Sequence, residues 1–99
     1  MNNFRTYNLA LELYKACQSL KVAAFLRNQL DRAASSIVLN LAEGNGRRTT
    51  ADRKRFFQIA YGSLKETQAI LDISDTSPKI VAMADVLGAH LYRLIQNAR

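Results

Sequence analysis

Eleven consecutive residues near the middle of the chain, Asn45-Gly46-Arg47-Arg48-Thr49-Thr50-Ala51-Asp52-Arg53-Lys54-Arg55, carry five cations and one carboxylate. The chemistry such a cluster offers is capture of phosphate, because guanidinium and ammonium groups neutralise a phosphodiester backbone and displace its counterions. Within the run, Thr49 and Asp52 have the S/T-x-x-D/E spacing that opens a helix. The free N–H groups and the positive dipole end of that helix would then lie beside the cations. Phe56 and Phe57 follow at once. Helical spacing turns Phe56 to the core and leaves Phe57 as the ring on which a base could stack. A solvated charged face has the same composition, and cations at a helix N-terminus oppose its dipole. Phosphate surface and solvated face are the two readings of Arg47, Arg48, Arg53, Lys54 and Arg55.

Other chemistry is sparse. His90 is the single histidine and Cys17 the single cysteine. Both fall on or beside apolar helical stripes, which reads as a partly buried structural histidine and a small core hydrophobe. With three Glu and one His, the chain lacks the repeated Glu-x-x-His of di-iron bundles, and it has too few ligands for structural zinc. Gly44-Asn45-Gly46 lacks the GxxxxGK[ST] pattern of a phosphate loop and reads as a helix C-cap, with Gly44 taking the left-handed conformation. Arg27 and Arg32 flank Asp31 and read as surface ion pairs. Asn40, close to a core stripe, reads as the partner of a backbone group in a neighbouring turn. No paired acid and base emerge, so the expectation is a protein without catalytic residues, cofactor or metal.

The elements that position these residues follow from composition and periodicity. Ninety-nine residues with 48% hydrophobic and 22% charged side chains suit one domain, residues 1–99, with one core. One Pro and four Gly are too few for the turns of an all-β chain. The net charge of +6 favours nucleic acid, acidic proteins or anionic surfaces as partners. A lone cysteine, no signal-peptide pattern and no long apolar run point to a cytoplasmic protein with no membrane partner.

Four amphipathic stretches are expected. The first runs from about Arg5 to Ser19, with Leu9, Leu13, Ala16, Cys17 and Leu20 on one stripe and Tyr7, Leu11 and Tyr14 on a second strip beside it. The next, from about Ala23 to Glu43, carries Leu26, Leu30, Ala33, Ile37 and Leu41; the break before it contains neither Gly nor Pro. The third, from about Thr50 to Ser74, turns Phe56, Ala60, Ser63, Thr67, Ile70 and Leu71 to one face, and the small residues among them suggest a close neighbour. Gly62 lies inside it. The fourth, from about Pro78 to Asn97, starts with Ser77 as N-cap and Pro78 at the first helical position and buries Ile80, Ala84, Leu87, Leu91, Leu94 and Ile95. Short connections make these an all-α, antiparallel up-down-up-down four-helix bundle. Leu39, Val86 and the Tyr7–Leu11–Tyr14 strip would be exposed on a monomer, which points to a homo-oligomer.

The central segment Leu30-Asp31-Arg32-Ala33-Ala34-Ser35-Ser36-Ile37-Val38-Leu39-Asn40-Leu41-Ala42-Glu43-Gly44 resembles the "RA…SI..NIAEG" signature of small four-helix-bundle proteins encoded in intervening sequences of 23S rRNA genes. These are related to the accessory variability determinant of diversity-generating retroelements. Arg55-Phe56-Phe57-Gln58-Ile59-Ala60-Tyr61-Gly62-Ser63-Leu64-Lys65-Glu66 is similar to the family's "RF..IA.GSL.E", and Phe4 with Leu9 to Tyr14 resembles its first helix. The likeness covers about residues 4 to 73. The family's proline between the first two helices is missing here, and the first helix has no Trp. The resemblance implies a bundle assembled into a ring, typically a pentamer, without known catalytic activity. In the retroelement branch it implies a basic surface for nucleic acid and a reverse transcriptase partner. The sequence-level expectation is a non-enzymatic, oligomeric protein that binds nucleic-acid backbone through Arg47, Arg48, Arg53, Lys54 and Arg55. The alternative is a protein-interaction adaptor whose charge serves an acidic partner.

Overall fold

A computed structural model describes residues 2–75 and 77–98, with side chains from Phe4 onward. It contains four helices and, among the described residues, no strand: α1 (Asn2–Gln18), α2 (Ala24–Asn45), α3 (Thr50–Ser74) and α4 (Pro78–Gln96). Each helix packs on its neighbours in sequence and α4 closes on α1, around one core to which all four contribute. With connections of a few residues, this is an antiparallel bundle without crossovers, 40 Å long and 21 by 17 Å across. The core is aliphatic, built on Leu13, Leu30, Ile37, Leu41, Leu64, Leu87 and Leu91 with the ring of Phe57.

Three helix ends follow from local chemistry. Thr49 Oγ1 accepts from the Asp52 N–H at 3.1 Å, the expected cap of α3. Ser77 Oγ accepts from the Lys79 N–H at 3.2 Å ahead of Pro78, the expected start of α4. Asp75 closes α3 in the left-handed region at φ 51°, which a short polar side chain tolerates. The turn between α1 and α2 has no Gly or Pro, and its closure comes from a side chain. Arg27 reaches back to donate to the carbonyls of Leu20 (2.9 Å) and Cys17 (3.0 Å) while pairing with Asp31 at 2.7 Å. Asp31 also accepts from Gln18 Nε2 at 3.1 Å. Arg27 therefore makes the ion pair with Asp31 that its spacing suggested and also caps the C-terminal carbonyls of α1, while Arg32 has no ion-pair partner among the described residues.

Two expected positions move. Gly44 does not take a left-handed conformation; no glycine does, and α2 runs on to Asn45 with Gly46 as its C-cap at φ −90°. Gly44 is buried inside the helix, with the Phe57 ring of α3 against it. On α1 the fully buried row is Thr6, Ala10, Leu13 and Cys17, while Leu9, Ala16 and Leu20 are half-buried. The Tyr7–Leu11–Tyr14 strip is also half-buried, with Tyr7 packed on the core, so it is not the exposed patch its spacing suggested. Leu39 and Val86 are exposed as expected.

Candidate nucleic-acid interface

The basic segment forms one end of the bundle, where α2 hands over to α3. Gly46 N–H donates to the Glu43 carbonyl and Arg47 N–H to the Gly44 carbonyl, both at 3.1 Å, so the chain leaves α2 in a tight turn. Arg53, on the first turns of α3, holds that turn in place. Its guanidinium donates to the carbonyls of Arg48 (3.0 Å) and Arg47 (3.4 Å) and to Thr50 Oγ1 (3.3 Å). Arg53 is half-buried and spends its donors on the loop, so its part in the cluster is to shape it.

The other four cations point outward. Arg48 and Lys54 are exposed and, among the described residues, have no ion-pair partner. Arg47 pairs with Glu43 at 2.6 Å, and Arg55 lies 4.0 Å from Asp52. Both guanidinium groups also stand over the ring of Phe56, Arg47 at 4.8 Å and Arg55 at 4.4 Å from its centroid. The aromatic face thus gathers two like charges at one place, a cation–π arrangement worth about 0.5–1 kcal/mol per contact at an exposed site.

This reverses the expected roles of the two phenylalanines. Phe57 is 1% exposed and lies in the core, while Phe56 is the half-buried ring among the arginines. Adjacent residues on a helix sit about 100° apart, so a Phe-Phe pair at the stripe's edge fits either way round. The outcome is decided by α2: a Cβ on Gly44 would lie 2.7 Å from Phe57 Cε1, so the missing side chain is the space the ring fills. The same rotation buries Leu64 and brings Ser63 to the α2–α3 seam. There Ser63 and Ser36 hydroxyls share a 2.8 Å hydrogen bond, and Asn40 Nδ2 donates to Ser36 O (2.8 Å) and Oγ (3.0 Å). Asn40 thus serves its own helix and the seam.

The scattered reactive groups stay apart. Cys17 is fully buried, and burial pushes its thiol up to about 11. His90 is half-buried; loss of solvent, and then the charges of Arg5 and Arg93, hold its imidazole below the usual value. His90 lies near the end of α4, which antiparallel packing sets against the start of α1, whereas Cys17 lies near the end of α1. No thiol–imidazole pair forms. Among the described residues no group of three or more His, Cys, Asp or Glu stands together to hold a metal ion. Among the described residues no helix is long and apolar enough to cross a membrane.

Compared with known families, residues 4–87 match the 23S rRNA-intervening sequence protein. No curated protein matches the chain.

Proposed function

The chain belongs to the 23S rRNA-intervening sequence protein family, and on that premise we propose that it is a non-enzymatic, homo-oligomeric protein that binds the phosphate backbone of nucleic acid. The observation that carries this reading is the end of the bundle at the α2–α3 turn. There five cations face two carboxylates, Glu43 and Asp52, on a loop already fixed by Arg53. Arg47, Arg48, Lys54 and Arg55 contact phosphates, and Arg53 keeps the loop in shape for them. Phe56 is occupied by guanidinium groups, so binding is indifferent to base identity. Closed into a ring of the pentameric kind, the same end of each protomer repeats the charge around one axis, and modest patches add as a multivalent field. A lone reduced thiol and a nucleic-acid ligand suit a cytoplasmic protein.

The test is fluorescence anisotropy of a labelled RNA hairpin titrated with the protein across a salt series. The expected result is affinity that falls steeply with salt, with a logarithmic slope of about 0.7–0.9 for each phosphate neutralised. Changing Arg47, Arg48 and Lys54 together to Glu abolishes binding without loss of helicity. Absence of binding at low salt overturns the reading and assigns the basic end to an acidic protein partner, such as a polymerase or reverse transcriptase.

A further inference from the structure

Two tyrosines from neighbouring helices meet on the outer seam between α3 and α4. The rings of Tyr61 and Tyr92 stand 6.5 Å apart, centroid to centroid, at an interplanar angle of 52°. A tilted contact at this separation is attractive and holds each ring in one place. Tyr61 is half-buried and packs on the core, so it is a fixed backing. Tyr92 is the exposed one of the chain's four tyrosines, at 54%, and much of its ring is open to solvent.

A single exposed aromatic is ordinary on a protein surface, but this one has cations on both sides. Lys65 Nζ lies 5.1 Å from the centroid of the Tyr61 ring. Lys54, Gln58, Tyr61 and Lys65 follow one another at helical-neighbour spacing, so they form one line along α3. From Lys54 to Lys65 that line covers about 16–17 Å of helix axis. Lys54 starts it inside the basic end of the bundle. Both lysines are exposed and, among the described residues, neither has an ion-pair partner. The bond from Gln68 Nε2 to Asp85 at 3.2 Å, together with the tyrosine contact, sets the antiparallel register of α4. The facing line on α4 is then Gln96, Tyr92, Gly88 and Asp85. No carboxylate stands on either line before Asp85, and Glu66 turns to the α2 seam. Beyond Lys65, Asp72 and Asp85 border a groove of about 290 Å³, where a phosphate is repelled.

We propose that Tyr92, backed by Tyr61, is a stacking platform for an unpaired base of a nucleic-acid strand whose backbone passes from Lys54 to Lys65, which rests on the backbone-binding reading above and narrows its ligand to one that is single-stranded at this seam. Bases inside an intact duplex stack on one another, so a ring on a helix surface takes its base from a loop, a bulge or an end. Every base has a π-face, so the platform adds affinity without sequence preference. The lysines on either side hold the phosphates that flank the stacked base.

Anisotropy titrations of a labelled, unstructured RNA single strand and of a blunt-ended RNA duplex of equal length test it. The proteins compared are the wild type, Tyr92→Ala and Tyr92→Phe, with helicity checked by circular dichroism. Tyr92→Ala weakens the single strand by about five- to 150-fold, the equivalent of roughly 1–3 kcal/mol for one stacked base, and leaves the duplex within about twofold. Tyr92→Phe retains both. A single strand carrying iodouridine cross-links on illumination to the peptide that contains Tyr92. If Tyr92→Ala lowers both ligands alike or neither, or if the cross-links fall only on other peptides, the platform is overturned and the backbone-binding reading stands. A wild type that binds neither RNA at low salt overturns both.

Discussion

The Phe57 ring packs against the bare Cα of Gly44, so closely that a methyl group on Gly44 would lie 2.7 Å from Cε1 and 2.9 Å from Cδ1. Phe57 is 1% exposed and cannot swing aside without disturbing the core. Gly44→Ala gains about 1 kcal/mol of helix propensity but meets an overpacking cost of about 1–3 kcal/mol. The expected net result is destabilisation of about 0–2 kcal/mol, read as a lower urea midpoint with unchanged slope. Gly44→Val is worse, because a branched side chain drives further into the ring.

That contact also explains how far the sequence was legible. The four helices, the Thr49 and Ser77 caps and the exposed Leu39 follow from periodicity and capping residues, which act within a turn or two of chain. The Phe56/Phe57 assignment does not, because it depends on a glycine on another helix thirteen residues upstream. The mistaken left-handed Gly44 has the same origin: a glycine near a helix end serves a turn or a close approach equally well until the neighbouring helix is placed. The basic cluster was legible as a list of charges. Its division into one loop-shaping arginine, Arg53, two stacked ones, Arg47 and Arg55, and two free cations, Arg48 and Lys54, needed the fold.

Arg27 carries the α1–α2 turn, so its removal should be felt well beyond one ion pair. Its two bonds to the Cys17 and Leu20 carbonyls are charge-assisted and part-buried. Arg27→Ala is expected to destabilise by about 1–3 kcal/mol, in the range of hydrogen bonds to charged groups. Arg27→Lys recovers only part of this, since an ammonium lacks the fork that reaches two carbonyls and Asp31 together. Thermal unfolding of the two variants separates a fork from a point charge.

Cys17 should be silent in the folded protein. Its thiol is fully buried and pushed up to about 11, so at mild alkaline pH it is neither accessible nor ionised. A thiol-reactive disulfide reagent at pH about 8 is expected to label it only after denaturant is added, at a rate set by unfolding. Rapid labelling of the native protein would show that the α1 end of the core opens locally.

His90 makes stability fall as the solution is acidified. Its folded pKa lies below the ordinary 6.5, so between those two values the unfolded chain binds more protons than the folded one. Stability from this group is complete above the unfolded pKa and is lost as pH falls from about 6.5 toward the folded pKa, below which the loss levels off. His90→Gln should flatten that part of the profile, measured as urea midpoints from about pH 7.5 to 5.5, a window above the range where carboxylates titrate. An unchanged slope would mean that the pH dependence belongs to other groups.

Phe56 should matter to RNA binding without carrying charge. It gathers Arg47 and Arg55 at one place, and losing two exposed cation–π contacts frees both side chains to disperse. Phe56→Leu is expected to weaken hairpin binding by about three- to tenfold, and Phe56→Tyr to retain it, with little change in helicity. The tyrosine rescue distinguishes a positioning ring from one that only fills space.

Glu43 acts in the opposite sense. Its carboxylate holds Arg47 at 2.6 Å, with both side chains about half exposed, and so competes with a phosphate for that guanidinium. An exposed pair of this kind contributes about 0.2–1 kcal/mol, so Glu43→Gln should leave stability nearly unchanged. Hairpin affinity should rise by about two- to fivefold, because the same fraction of a kilocalorie is no longer spent on displacing the carboxylate. The salt slope should stay unchanged, because Arg47 neutralises the same phosphate in both proteins. A slope steeper by about 0.7–0.9 would mean that Arg47 engages a phosphate only once Glu43 is removed, and would overturn its contact in the wild type. The slope therefore separates an arginine that already meets phosphate from one that its carboxylate holds away, which a loss of binding in a charge-reversed variant does not do.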